Sequence, residues 1–158
     1  MTAQIHLPSL GARVGVVSAL TIATVGGFMP VPGLTSEAQA ATAHARRALQ
    51  VAASKQGSPY RYGATGPSRF DCSGLMLFSY KKAGKKLPRT AQQQYNRTRH
   101  IPASSRLRGD LVFFHSGGSV YHVGIYAGGG RIWHAPKTGT RVRLERIWTT
   151  RVSYGRVR

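Results

Sequence analysis

Apolar and polar residues are arranged differently in the two halves of this chain. From Thr42 to Gln56 the residues are alanine-rich and lack Pro and Gly, and Gly57 closes the run. That pattern predicts a helix with a glycine stop. Ser58 to Phe70 mixes Gly, Pro and Tyr and reads as loop. Apolar positions then crowd together at Leu75, Met76, Leu77 and Phe78, predicting a largely buried second helix. It should begin at Asp71-Cys72, where Asp is a good N-cap, and end before Gly84. Pro88 to about Arg97 predicts a short third helix, and Pro102 with Ser104-Ser105 a return to loop.

From Asp110 onward the pattern becomes one of strands between glycine turns. Leu111 to His115 precedes Gly117-Gly118, and Val120 to Ala127 precedes Gly128-Gly129-Gly130. Arg131 to Ala135 runs to Pro136, and Arg141 to Glu145 alternates with period two, as a half-buried strand does. Tyr154 to Val157 predicts a last strand. Helices first and antiparallel strands second argue for an α+β domain.

The first forty residues read as a targeting segment instead. Arg13 is the only charged side chain before Glu37, and it precedes an apolar run from Val14 to Met29. Ala38-Gln39-Ala40 supplies the small-x-small pattern of a signal-peptidase site. The apolar run is short and glycine-containing for a membrane span, which needs about 20 apolar residues. The expectation is a signal peptide over 1–40 and one domain over 41–158, a size that leaves no room for a second core.

Charge sharpens this picture. After residue 40 the only acids are Asp71, Asp110 and Glu145, while the whole chain carries 23 Lys and Arg and a net charge of +19. So positive a body attracts polyanions. For a secreted chain the anionic cell-wall polymers are the nearer partner and nucleic acid the more distant one. Lys81, Lys82, Lys85, Lys86 and Arg89 form one cluster, and Arg141, Arg143, Arg146 and Arg151 a second.

The single cysteine, Cys72, is the candidate for chemistry. Exported proteins usually carry cysteines in pairs, as disulfides. A lone thiol is inert and buried, joined to another molecule, or kept as a nucleophile. At the first turn of a helix it meets free N–H groups and partial positive charge, which favour the thiolate. Arg69 adds to this and Asp71 opposes it. A nucleophile also needs a base and a group that orients the base. Strand parity puts His122 with Gly124 and Tyr126, and His134 with Ile132; the glycine turn makes the two strands a hairpin, so the imidazoles can approach one another. The order Cys, His, His fits nucleophile, base and orienting group. A metal site of the same three residues has no short ligand pair behind it, and nothing in the sequence requires a cofactor. His44, His100 and His115 read as surface residues, Trp133 and Trp148 as core.

Asp71-Cys72-Ser73-Gly74, His122-Val123-Gly124-Ile125-Tyr126 and His134-Ala135-Pro136 resemble the NlpC-type family of secreted cell-wall cysteine peptidases. Pro59-Tyr60-Arg61-Tyr62-Gly63, the stretch Leu87 to Tyr95, and Gly109 to Phe114 resemble that family's other segments in the same order. The resemblance implies a papain-like α+β fold and hydrolysis of an amide in peptidoglycan stem peptides. In much of the family this bond follows D-glutamate and precedes the diamino acid. By position it makes Cys72 the nucleophile, His122 the general base and acid, and His134 the orienting member. Tyr60 matches a tyrosine that helps the oxyanion site, while Asp71 and Ser73 match residues lining the substrate groove. Tyr62 stands where tryptophan is common, and Gly63-Ala64 replaces a Gly-Gly pair. A neutral His134 stabilises an imidazolium less than a carboxylate would, which predicts a rate that changes with pH as His134 titrates. The expected protein is a secreted, wall-associated monomer. A peptidoglycan amidase or acyltransferase on the same fold, and a non-catalytic wall-binding protein, are the competing readings.

Overall fold

The computed structural model describes residues 36–158; the apolar run of the expected signal peptide lies outside them. Three helices come first: α1 (Ser36–Ser54), α2 (Cys72–Lys82) and α3 (Ala91–Arg97). Six strands follow: β1 (Arg99–Ile101), β2 (Leu111–Ser116), β3 (Ser119–Gly128), β4 (Arg131–His134), β5 (Arg143–Arg146) and β6 (Val152–Arg156). They form one antiparallel sheet in the order β1-β6-β2-β3-β4-β5.

The alternation of β2 explains the layering. Leu111 and Phe113 point into the core shared with Leu49 and Ala52 of α1 and Leu75, Met76 and Tyr80 of α2. Val112 and Phe114 point the other way, into a smaller cluster with Tyr126, Ile132 and Tyr154. All four are fully buried, so β2 is covered on both faces and its sequence shows no polar position until His115. Each such side chain contributes about 1.5–3 kcal/mol by leaving water. Tyr80 adds a hydrogen bond from its hydroxyl to the Gly109 carbonyl at 2.7 Å, which ties α2 to the approach to β2. Asp110, at the foot of β2, holds Arg156 of β6 by two bonds of 2.8 Å and accepts from the Leu107 N–H.

Several boundaries differ from expectation. Helix α1 starts at Ser36 and passes through Ala38-Gln39-Ala40, because Glu, Ala and Gln all suit a helix. Its buried residues are Ala45, Ala48, Leu49 and Ala52, all beyond Ala40. Removal of the first forty residues therefore takes away no core side chain of this helix. A chain beginning at Ala41 is expected to melt within about 2 °C of the longer one; a drop of more than about 5 °C would make the first turn of α1 part of the domain. Helix α3 is shorter than predicted, since Thr90 caps it and forms a capping box with Gln93. Strand β1 was not expected; three residues, none buried, leave no periodic signal.

Candidate active site

Asp71 shapes the turn that presents Cys72. Its extended backbone and its side chain, accepting from the Gly74 N–H at 2.7 Å, start α2 at Cys72. The same carboxylate accepts from Gly63 N–H at 2.9 Å and from both terminal nitrogens of Arg89. Arg89 also donates to the Ser73 hydroxyl at 2.9 Å. Gly74 is required here: a Cβ would stand 2.1 Å from the Ala64 carbonyl oxygen, which itself takes the Asp71 N–H. Gln94 of α3 donates to the Ser73 and Pro88 carbonyls and locks the third helix against this turn.

The Cys72 thiol is half-buried. Burial pushes its pKa up and Asp71 adds to that, while the N–H groups of Val123, Ser73 and Cys72 itself favour the anion. The rise reverses the expected direction, because desolvation outweighs the helix terminus while no imidazolium is present. Val123 follows His122, so the sulfur lies beside the strand that carries the histidine.

His122 owes its direction to an irregularity. The β2–β3 ladder pairs Phe114 with His122 but His115 with Val120, leaving Tyr121 as an extra residue. Such a bulge re-aims the neighbouring side chain. Buried His122 brings its Nε2 within 2.8 Å of His134 Nδ1. The glycine turn that closes the β3–β4 hairpin has positive φ at all three residues, as its tightness demands. Burial, with the neighbouring His134 ring, pushes His122 down to about 3. Burial also lowers His134.

Two features were missed in the sequence. Glu145 of β5 lies 2.9 Å from His134 Nε2 and takes a 2.8 Å bond from Arg143 Nε. A carboxylate therefore does stand behind the second imidazole, and burial, outweighing the opposite pull of Glu145, moves the titration of His134 to lower pH than an ordinary histidine's. The sequence shows only that Arg143 and Glu145, at i and i+2 of a strand, share a face; which side chain they meet is set by the β4–β5 register. The second feature is Trp148, expected in the core but half exposed. It stacks on Phe114 at 4.2 Å, with its ring 5.8 Å from that of His122 and 5.5 Å from that of His134.

Tyr60 sits near the thiol; burial, followed by Cys72 and Asp71, raises its pKa and keeps the phenol protonated as a donor. Asp71 and Ser73 are buried, and the Asp71 oxygens are already engaged by internal donors. Tyr62, by contrast, is 87% exposed at the rim of the same loop. His44, His100 and His115 are away from this cluster and bond to the Ala83 carbonyl, the Tyr95 carbonyl and the Ser153 hydroxyl. Among the described residues no group of three or more His, Cys, Asp and Glu side chains could hold a metal ion.

Comparison with known proteins agrees with this geometry. A probable endopeptidase of Corynebacterium glutamicum is 36% identical over 163 residues, covering 87% of this chain and 75% of the relative. The peptidoglycan endopeptidase RipA of Mycobacterium tuberculosis is 42% identical over 109 residues, a match that covers 61% of this chain but only 23% of that longer protein. Among solved structures, the P60 domain of an antigen from Mycobacterium avium subspecies paratuberculosis superposes with a TM-score of 0.66 at 30% identity. That match covers 74% of this chain and 96% of the domain, so the α+β fold is the papain-like one that the sequence motifs implied. Residues 57–155 match the model of the NlpC/P60 family, which takes in the capped thiol, the histidine hairpin and most of the strands, and the chain belongs to that family.

Proposed function

We propose that this protein is a secreted peptidoglycan endopeptidase that cuts the stem peptide between D-glutamate and the diamino acid, with Cys72 as nucleophile. The observation that carries the reading is a half-buried thiol at a capped helix start, beside a strand whose histidine is hydrogen-bonded to a second histidine. Hydrolase activity on peptidoglycan accords with the family and with the names of its relatives.

In this reading the Cys72 proton passes to His122 as sulfur attacks the amide carbonyl. The oxyanion is met by N–H groups at the start of α2 and by the Tyr60 hydroxyl. His122, now an imidazolium, protonates the leaving amine, and water activated by the same ring hydrolyses the thioester. The resting pair is a neutral thiol and a neutral imidazole, since burial raises one and lowers the other. His134 orients His122, and Trp148 keeps water from the outer side of both rings.

The surface supports attachment to the wall. Each of the three acids after residue 40 is committed to an internal pair: Asp71 with Arg89, Asp110 with Arg156, Glu145 with His134 and Arg143. Among the described residues, Lys81, Lys82, Lys86, Arg141, Arg146 and Arg151 are left exposed outside these pairs. Anionic wall polymers are the partner this charge fits. The segment 1–40 is read as the export signal, and the mature domain as a monomer.

Mass spectrometry of soluble muropeptides incubated with the protein tests the proposal. The expected product has lost everything beyond D-glutamate. Release of an intact stem from the sugar would replace endopeptidase by amidase. In the same experiment on intact wall, retention should fall as salt rises; retention independent of salt would remove the polymer partner.

A further inference from the structure

We propose that Glu145 is a positioning residue that sets the order of hydrogens along the His122–His134 pair, so that the free ring nitrogen of His122 is the one able to accept a proton. The proposal rests on the reading of Cys72 and His122 as nucleophile and base.

Glu145 and Ile132 are directly paired in the β4–β5 ladder, and Arg143 is paired with His134. Glu145 is thus the diagonal neighbour of His134 on the same side of the sheet, and its Oε2 reaches His134 Nε2 at 2.9 Å. An ionised carboxylate only accepts, so His134 Nε2 carries the hydrogen. In the neutral ring Nδ1 is then the acceptor. Across 2.8 Å it receives the hydrogen on Nε2 of His122. His122 Nδ1 is left with its lone pair. With the opposite order, the hydrogen would sit on His122 Nδ1 and the base would be blocked. Two neutral imidazoles alone have no reason to prefer one order. The acceptor-only group at the end decides it.

Glu145 is itself held in place. Arg143 Nε donates to the same oxygen at 2.8 Å, and that bond, ahead of the one from His134, keeps the carboxyl below its usual range. The groups facing His134 are few: His122 from β3, Glu145 and Arg143 from β5, and the uncharged ring of Trp148. During reaction the proton moves from the Cys72 sulfur to His122 Nδ1 and then to the leaving amine. Glu145 stays ionised throughout. It faces the imidazolium through His134 and supplies the anion that a lone second histidine lacks.

The test is the full chain carrying Glu145→Gln or Glu145→Asp. Two readouts are followed across pH: the rate of Cys72 alkylation by iodoacetamide, and kcat and KM on muropeptide. Glutamine keeps the shape but loses the charge, and its amide can donate as well as accept. It should slow kcat about tenfold, with KM little changed, in the range found for groups that orient a metal-bound histidine. The alkaline limb should move to lower pH, because losing a nearby anion makes the last proton of the thiol–imidazole pair easier to release. Aspartate keeps the charge and should hold the limb at its original pH. The proposal is overturned if the glutamine profile overlays the parent. It is equally overturned if both variants lose activity alike and the limb stays put, the mark of a merely structural pair. Alkylation needs no peptide substrate, so this arm decides the role of Glu145 even if the assigned bond is wrong.

Discussion

Replacing Cys72 by alanine is expected to lower muropeptide hydrolysis by at least about a thousandfold while leaving the fold intact. The size follows from the chemistry, because a covalent step has no substitute once its nucleophile is gone. No second cysteine exists in the chain to take over. The hydroxyl of Ser73, one residue on, is engaged by Arg89 and points at Asp71. Stability should change little: the sulfur is only partly buried and carries no structural bond beyond the N–H groups that face it. Serine should be almost as inactive as alanine, since a neutral imidazole held near pKa 3 is a weak base for a hydroxyl. Kinetics on purified muropeptide, with a melting curve for each variant, give the answer. Residual hydrolysis within about tenfold of the parent would mean that the thiol is not the nucleophile and would return the protein to the wall-binding reading.

How much of this was legible in the sequence depended on the range of the interaction. Asp71 as a cap and Cys72 at a helix start are local facts, encoded within one helical turn. The approach of His122 and His134 needed only strand parity and a tight glycine turn. Glu145 was out of reach because its position behind His134 depends on the β4–β5 register. The connection from Ala135 to Val142 sets that register, and it has no periodic pattern to read. The sequence groups Arg89 with a basic cluster; its bond to Asp71 depends on how residues 83–90 fold back over the turn. The short helix α3 hides the work of Gln92 and Gln94 in the same way. One accepts the Val120 N–H at the start of β3, and the other holds the Ser73 carbonyl. Apolar character placed Trp148 in the core, but hydrophobicity carries no direction once the chain has left a strand. The bulge at Tyr121 changes the face of the strand between Val120 and His122 without a sequence signal, and leaves the parity of His122, Gly124 and Tyr126 intact. In each case the missing information was a long-range contact, and the short motifs were readable because they act over one turn.

Asp71→Ala tests which of two roles that aspartate plays, and its effect on stability is expected to be the largest of any charged residue in the site. The carboxylate satisfies the Gly63 and Gly74 N–H groups and pairs with a guanidinium. Alanine would remove a helix cap worth about 1 kcal/mol and leave buried donors unsatisfied at about 1–3 kcal/mol. The pair with Arg89 adds little, because the guanidinium is 38% exposed and solvent screens it. A total of about 3 kcal/mol corresponds to a melting point roughly 10 °C lower. In the Asp71→Asn variant the side-chain amide oxygen can still accept from one of the two N–H groups, so this change should cost about half as much. It also removes the negative charge that raises the thiol pKa, so Cys72 in that variant should alkylate faster at neutral pH, not more slowly. If the oxygens serve only the turn, the asparagine variant keeps its KM. If they also grip the substrate, as the family resemblance implies, KM rises in addition to that loss of stability. Their occupation by internal donors favours the first result, because a substrate amine would have to compete with Arg89 for the same lone pairs.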